Sequence, residues 1–420
     1  MITNVATALI GLGDMWIVGR MGDTAAQGAV DVGARLFALL FTAMNFLKTG
    51  TTGLVAQAGT REGDTAQVGV LVRGLFVGLT IGLLLLLFKP VLLPLLLSAL
   101  GAEGDVLAAA GTYAGIRYWT APGVMCNLAL VGFMVGRRQM RAVLLIEVAY
   151  NLANVGLGLW FVLSLDWGIA GIGWSSLIAE YTKLAVIAAF LRRDAVFTRV
   201  GRLRLDAALI GWQAVRPFLS VNRDLFLRTI VLMVALAALT RLSAERGDAV
   251  LAANGILYQL FVLTALLLDG FENAAQVLNG ERFGERDAAG FRHYIRAIIL
   301  RGLAVALAVS AVFIILGKPI IASFAATPAV LDAAYEVWPW LLAFPVAGVL
   351  GFIFDGVYVA ASWTRALLVS MIGASLLYAV SLWLTWPLGS NGLWISFTLF
   401  LLARAAIQAV MLRRLSSRIA

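Results

Sequence analysis

The sequence has very few of the residues that build metal centres, disulfides or a charged, soluble surface. It contains one cysteine, Cys126, and one histidine, His293, so an internal disulfide is excluded and too few soft ligands remain for a Cys/His metal site. Charged residues make up only 13% of the 420 residues, whereas about a quarter is usual in soluble domains. P-loop, HExxH and GxSxG motifs are all missing. The sequence therefore argues against a soluble protein and against an enzyme of these classes, and it implies no cofactor.

Apolar residues dominate instead and account for 61% of the chain. A helix needs about 20 mostly apolar residues to cross a bilayer, and we divided the chain where Gly, Pro and charged residues cluster between such runs. About twelve membrane spans are predicted, at residues 2–21, 29–58, 67–98, 106–136, 140–164, 168–191, 213–242, 248–280, 290–316, 330–361, 366–387 and 391–412. The predicted fold class is an all-α integral membrane protein, with no cleavable signal peptide.

The basic residues are unevenly distributed between the loops on the two sides of the membrane. If the N-terminus is cytoplasmic, most arginines fall in cytoplasmic loops, and the other side holds only Arg20, Lys89, Arg241, Arg246 and Lys318. This asymmetry indicates cytoplasmic N- and C-termini. It also accounts for the net charge of +9 without a nucleic-acid partner.

Two pairs of similar segments suggest an internal repeat. MGDTAAQGAV at 21–30 resembles RGDAVLAANGI at 246–256, and TTGLVAQAGTREGD at 51–64 resembles ENAAQVLNGERFGERD at 272–287, at an offset of about 225 residues. Two six-span repeats enter the membrane from the same side, as in transporters with parallel repeats. The predicted domains are an N-terminal lobe at 1–192, a cytoplasmic linker at 193–212 and a C-terminal lobe at 213–420.

Charged side chains inside predicted spans are candidates for function, because each costs at least about 2.5 to 3.5 kcal/mol to insert. Asp14 has no basic residue at helical spacing and is a candidate proton-binding group. The alternative is a carboxylate that lines a water-filled vestibule. Asn151 and Asn154 on the fifth span, with Ser175 and Ser176 on the sixth, are either site residues or interhelical hydrogen-bonding groups.

The second half carries its own set of charged candidates. Asp269 and Asp355 are each followed by glycine and are predicted to form a second protonation or cation-attracting site. Glu272, Asp224 and Arg228 are further candidates for a second-half site. The competing interpretation is that Arg223, Arg228 and Arg404 form buried structural ion pairs.

Local spacing suggests structural roles for other residues of the first half. Glu180 and Lys183 are three residues apart, which favours an ion pair along one helix. Glu147 lies near a predicted cytoplasmic helix end and is expected to extend toward water. The pairs Gly78 and Gly82, and Gly132 and Gly136, have the spacing of close helix contacts.

Six strings spread over the chain carry a family resemblance: LIGLGDMWIVGRMG, TTGLVAQAGTREGD, NLANVGLGLWFVLSLDWGIAGIGWSSLIAEY, LSVNRDLFLR, LLLDGFENAAQ and FDGVYVAASWTR. In this order they resemble the multidrug and toxic compound extrusion (MATE) transporters, and within them the DinF-like branch. The resemblance implies twelve helices in two six-helix lobes around a central cleft. It also implies export of drug-like, often cationic compounds in exchange for protons or sodium by alternating access.

The resemblance carries a coupling site onto particular residues of the first half. The first-span aspartate falls on Asp14, the fifth-span asparagine on Asn154, and the sixth-span hydroxyl position on Ser176, where threonine is common. A second aspartate of the family pattern is Gly158 here, which disfavours Na⁺ coordination and leaves H⁺ as the expected coupling ion. The match begins late in the first helix, so we expect either a misassigned start or a trimmed N-terminus.

The predicted function is a proton-coupled multidrug antiporter, and a flippase for lipid-linked precursors of the same superfamily is the alternative. A basic central cavity would favour the flippase, whereas acidic residues favour cationic substrates. We expect a monomer in the inner membrane of a bacterium, with small drug-like molecules and the lipid bilayer as its partners.

Overall fold

The structure is a computed structural model that describes residues 24–194, 210–325 and 327–417. Nearly all of these residues are helical, and the described part of the chain contains no β-strand. The predicted all-α fold class is therefore confirmed. The first predicted span, 2–21, lies outside the described residues together with Asp14.

The helices are long and are joined by short turns. In the first half they are α1 (Thr24–Ala43), α2 (Phe46–Arg61), α3 (Asp64–Ala99), α4 (Gly104–Arg117), α5 (Ala121–Gly136), α6 (Met140–Leu159) and α7 (Gly168–Arg192). In the second half they are α8 (Trp212–Ala244), α9 (Asp248–Gly284), α10 (Ala288–Phe324), α11 (Pro328–Ala360), α12 (Thr364–Thr385) and α13 (Gly389–Ser416). Short 3₁₀ turns lie at Tyr118–Thr120 and Trp386–Leu388, and a π-helical turn follows α6 at Trp160–Ser164.

The described helices match the predicted membrane spans. Ten segments within the described ranges are long and apolar enough to cross a membrane. The longest, Thr364–Ser416, divides at the 3₁₀ turn before Gly389, whose φ of 66° permits the chain to bend between α12 and α13. Every predicted span from 29–58 onward therefore overlaps an observed helix.

The chain forms two compact units that divide between Leu219 and Ser220, inside α8. We call them the N-terminal unit and the C-terminal unit. The predicted linker at 193–212 falls largely on residues outside the described ranges, so the predicted domain limits of 1–192 and 213–420 stay predictions.

Helix α5 is the central element of the N-terminal unit. A Cβ atom on Gly78 would lie 2.9 Å from the Met125 carbonyl oxygen, and one on Gly136 would lie 2.8 Å from the Thr52 carbonyl oxygen. Side chains larger than hydrogen therefore cannot fit between α5 and its neighbours α2 and α3 without a shift. The predicted close helix contacts at these glycine pairs are confirmed.

The C-terminal unit is organised around α11, which packs most extensively against α9. Its core contains edge-on aromatic pairs, with the rings of Phe261 and Phe397 5.0 Å apart and those of Phe261 and Phe344 5.7 Å apart. The buried Trp394 indole donates a 2.8 Å hydrogen bond to Asn254. This satisfied polar contact fixes α13 against α9 within an otherwise apolar core.

The two units repeat the same backbone pattern at one constant offset. After α5, the Gln139 amide donates to the Met134 carbonyl at 2.9 Å, and after α11, the Trp363 amide donates to the Tyr358 carbonyl at 2.8 Å. The donors are 363 − 139 = 224 residues apart and so are the acceptors. This agrees with the repeat offset of about 225 that the sequence predicts.

Candidate functional site

The predicted first-half site residues lie on the packed faces of α6 and α7. Asn154 is 1% exposed and Ser176 is 2% exposed. The Ser175 hydroxyl lies 3.2 Å from the Asn154 Oδ1 atom and 2.8 Å from the Ile172 carbonyl oxygen. Asn154 and Ser175 therefore connect α6 to α7, as the interhelical hydrogen-bonding interpretation requires.

Two polar atoms at this contact remain without a hydrogen-bond partner among the described residues. They are the Asn154 Nδ2 atom and the Ser176 hydroxyl. A buried polar group without a partner costs about 1 to 3 kcal/mol, so native structures normally supply one. Asn151 and Gly158 lie on the same buried face of α6 as Asn154. The association of Asp14 with this face stays a prediction, because Asp14 lies outside the described residues.

A second buried polar group in the N-terminal unit joins α5, α6 and α7, and we call it the N cluster. It consists of Asn127, Glu147, Tyr150, Glu180 and Lys183. The Lys183 ammonium lies 2.7 Å from Glu147 and 4.7 Å from the centre of the Tyr150 ring. Asn127 donates to the Glu180 carboxylate at 2.6 Å, and the Tyr150 hydroxyl also donates to Glu180.

The N cluster corrects two predictions. Lys183 pairs with Glu147 on the neighbouring helix, so the predicted ion pair along α7 between Glu180 and Lys183 is wrong. Glu147 is only 7% exposed, so it does not extend toward water as expected. Both errors have one cause, because spacing along one helix does not reveal which side chains an adjacent helix presents.

The C-terminal unit holds a buried carboxylate between two arginines, and we call this the C cluster. It consists of Arg228 on α8, Asp355 on α11, and Arg404 and Gln408 on α13. The Asp355 side chain is 1% exposed and forms ion pairs with both Arg228 and Arg404. The Gln408 amide donates to Asp355 at 2.6 Å. The structural ion-pair interpretation therefore describes the contacts of Asp355.

The other second-half candidates surround or adjoin this cluster. Asp269 and Glu272 on α9 interact electrostatically with both arginines of the C cluster. Gln276 donates to Glu272 at 3.0 Å, and no ion pair within 4 Å of Glu272 occurs in the described ranges. Asp224 forms a separate contact, since its carboxylate is paired with Arg223 at 2.8 Å and lies 3.5 Å from the Thr364 hydroxyl.

The structure thus places Arg228 in contact with Asp355, whereas Asp224 is paired with Arg223 outside this cluster. Gln408 is a member of the C cluster that the sequence analysis missed. Its position four residues after Arg404 places both side chains on one face of α13, and this spacing was the available signal. No group of three or more metal-ligating side chains occurs within the described ranges.

Comparison with known families identifies the class of protein to which the chain belongs. The MatE family model matches residues 1–160 and again residues 225–384. The two matches begin 225 − 1 = 224 residues apart, which confirms the internal repeat. The chain belongs to the MatE family, which comprises the multidrug and toxic compound extrusion transporters. It is therefore a multi-pass membrane transporter and not an enzyme.

Particular relatives support the same assignment over almost the whole chain. The chain is 32% identical over 413 residues to DNA damage-inducible protein F of Escherichia coli (strain K12). The alignment covers 98% of this chain and 89% of that protein. A MATE transporter in the bent conformation matches with a TM-score of 0.89 at 19% identity, covering 100% of this chain and 93% of the other. An outward-facing multidrug resistance MATE transporter matches with a TM-score of 0.88 at 18% identity, covering 100% and 94%. These two likenesses concern the fold.

Proposed function

We propose that this transporter exports drug-like, cationic compounds in exchange for protons by alternating access. Asp14 binds the coupling proton, and Asn154 and Ser176 complete its surroundings. Asn151 lies one turn from Asn154 and supports the same site. Membership of the multidrug and toxic compound extrusion family supports the substrate class.

The observation that carries the proposal is the contrast between the two halves. In the first half, Asn154 and Ser176 are buried and each keeps a polar atom without a partner among the described residues. In the second half, Asp355 is already held by two arginines and a glutamine. A carboxylate neutralised in this way has little capacity to exchange a proton in each transport cycle. We therefore assign coupling to the first half.

Protons are preferred over Na⁺ because of the ligands available in the first half. Sodium requires several oxygen ligands, and the position that carries a second carboxylate in the family pattern is Gly158. Proton binding needs only one carboxylate, and Asp14 supplies it. Asp269 and Glu272 would attract the cationic substrate from the second half, since their carboxylates lie half-buried on α9.

The proposed location is the inner membrane of a bacterium, with both termini in the cytoplasm. The concentration of arginines in alternate loops supports this orientation. The similarity to a protein of Escherichia coli supports the bacterial membrane. We propose that the protein acts as a monomer with small molecules as substrates.

A flippase for lipid-linked precursors is the second candidate. The partly buried Arg228 and the buried Arg404 favour it, because such substrates carry phosphates. Asp355 lies between the two guanidinium groups, and Asp269 and Glu272 add further negative charge beside them. These carboxylates reduce the attraction for an anionic substrate, so we prefer the cation exporter.

Transport of a fluorescent cation into inside-out vesicles tests the proposal. We expect an imposed proton gradient to drive transport by the wild type, an imposed Na⁺ gradient not to drive it, and Asp14→Asn to abolish it. Asp269→Asn serves as the comparison and should lower the apparent affinity for substrate while leaving proton coupling intact. Normal transport by Asp14→Asn together with failure of Asp269→Asn would place coupling in the second half and refute the assignment.

A further inference from the structure

One face of α10 changes from cationic to apolar along the helix. Arg292 and Arg296 are both exposed and lie four residues apart. The same face continues with Leu300, Leu307 and Ile314, whose exposed fractions are 70%, 60% and 62%. Exposed leucine and isoleucine along a membrane helix identify the surface that faces lipid. The two arginines therefore lie at one end of a lipid-facing strip.

The length of this strip matches the thickness of a membrane. Lys318 continues the same face at the other end, 318 − 296 = 22 residues after Arg296. At a rise of about 1.5 Å per residue the two cations are about 33 Å apart, close to the roughly 30 Å of a hydrocarbon core. Lys318 also lies over the rings of Tyr335 at 5.4 Å and Trp338 at 5.8 Å, which are typical interfacial residues. Arg296 is thus placed at the headgroup level of the opposite leaflet.

The carboxylates of the adjoining loop do not neutralise these arginines. Glu285 lies 2.5 Å and Asp287 lies 3.6 Å from the Arg282 guanidinium, so both already have a cationic partner. No ion pair within 4 Å involves Arg292 or Arg296 in the described parts of the chain. The described residues thus supply no counter-charge for them, and at this depth lipid phosphates are available anions.

The repeat shows that the fold does not require a cation at this place. Val72 of α3 corresponds to Arg296 at the offset of 224 residues. The equivalent helix of the N-terminal unit therefore adopts the same position with an uncharged side chain. Helix packing at this position therefore does not explain the positive charge on α10.

We propose that Arg292 and Arg296 form a binding site for the phosphodiester group of an anionic lipid. Guanidinium groups bind phosphate oxygens through paired hydrogen bonds, and two of them on one helix face can hold a single headgroup. His293 lies between them in sequence and is exposed beside the same site. The lipid chains of such a ligand would lie along Leu300 and Leu307.

Native mass spectrometry of the purified full-length protein with dioleoylphosphatidylglycerol tests this site. A basic side chain near an anionic membrane surface contributes about fivefold to binding, so R296Q should weaken the tightest lipid-binding event about fivefold and R292Q/R296Q about 25-fold. The matched control R413Q/R414Q removes the same charge from exposed, adjacent positions at the end of α13 and should bind the lipid as the wild type does. Dioleoylphosphatidylcholine should bind more weakly than the anionic lipid.

Three outcomes would overturn the proposal. The first is equal phosphatidylglycerol binding by the wild type and R292Q/R296Q. The second is an equal loss in R413Q/R414Q, which would indicate a general effect of net charge. The third is displacement of the lipid by millimolar inorganic phosphate, which would identify a site for free phosphate. R292K/R296K keeps the charge but not the paired hydrogen bonds, and it should recover part of the binding lost in R292Q/R296Q.

Discussion

The N cluster and the C cluster stabilise buried carboxylates of a membrane protein with different partners. In the C cluster, two guanidinium groups surround Asp355. In the N cluster, one ammonium group serves two carboxylates, and it lies beside Glu147 while Glu180 receives hydrogen bonds from Asn127 and Tyr150. Two units with the same backbone pattern therefore stabilise buried acids in different ways.

This difference indicates which carboxylates can attract another positive charge. With the carboxylates and the lysine ionised and Tyr150 neutral, the N cluster carries one net negative charge, whereas Asp355 already contacts two positive charges. Two guanidinium groups in contact with one carboxylate leave no excess of negative charge there to attract a proton or a cation. Asp355 is therefore a poor candidate for proton coupling, which agrees with our assignment of coupling to the first half.

The largest expected effect on stability comes from removing the carboxylate of Asp355 in the C cluster. Asp355→Asn removes the carboxylate that both guanidinium groups contact directly, which should destabilise the protein by about 3 to 5 kcal/mol. Thermal unfolding in detergent measures this loss. The exposed Glu245 pairs with the exposed Arg241 at 3.7 Å, so Glu245→Gln is the control and should change stability by less than about 0.5 kcal/mol. Equal stability of Asp355→Asn and the wild type would contradict the structural role of the C cluster.

A smaller effect on stability is expected at glycines that allow close helix contacts within each unit. A Cβ on Gly132 or on Gly356 would meet the backbone oxygen of Lys48 or of Glu272, two positions that correspond at the offset of 224 residues. Gly132→Val and Gly356→Val should each cost about 1 to 3 kcal/mol because the helices must separate.

Gly115 is the matched control for these two variants, since a Cβ there would meet no atom within 4 Å. Gly115→Ala should leave the unfolding temperature unchanged or raise it. A marked loss of stability in Gly132→Val but none in Gly356→Val would show that the repeated backbone contact is not equally important in the two units.

A double-mutant cycle identifies the partner of the lysine in the N cluster. Glu147→Gln and Lys183→Gln should be coupled by about 0.5 to 3 kcal/mol, because their charges lie 2.7 Å apart. The corresponding cycle between Glu180 and Lys183 should give a smaller coupling energy. A larger coupling energy between Glu180 and Lys183 than between Glu147 and Lys183 would support the ion pair along α7 that the sequence suggests.

The smallest expected effect concerns the start of α10. The Gly290 amide donates to the Asp287 carboxylate at 2.8 Å, and this hydrogen bond, with help from Arg282, lowers the pKa of Asp287 below its ordinary value. A lowered pKa gives stabilisation that is present at neutral pH and is lost as the pH falls through the folded-state pKa.

Asp287→Gly introduces the residue that the N-terminal unit has at the equivalent position, Gly63. The variant should unfold at a slightly lower temperature at pH 7, and the difference should shrink as the pH falls below about 4. Thermal unfolding across this pH range is the measurement, and a difference that grows toward acid would contradict the assigned hydrogen bond.

Much of the fold was predictable because membrane spans and repeats are features of continuous segments of the sequence. Long apolar runs located the described helices, and similar strings located the repeat near its observed offset of 224 residues. Glycine spacing also identified real close contacts at α5. Each of these features depends on the composition or spacing of one segment, so no knowledge of neighbouring helices is needed.

The candidate site was less predictable because its contacts join different helices. Glu147 and Lys183 are 36 residues apart, and Arg228 and Asp355 are separated by several helices. The sequence showed that such charges need partners, but it did not show which partners they have. Asp14 is predicted to be the coupling residue and remains the part of the site that experiment must test.

The most direct test of the central claim is the release of protons when substrate binds. Purified protein in a weakly buffered detergent solution with a pH indicator is mixed with a cationic dye. Our account predicts that the wild type and Asp269→Asn release protons on saturation with the dye, whereas Asp14→Asn releases none. Equal proton release by Asp14→Asn and the wild type would contradict the assignment of coupling to Asp14.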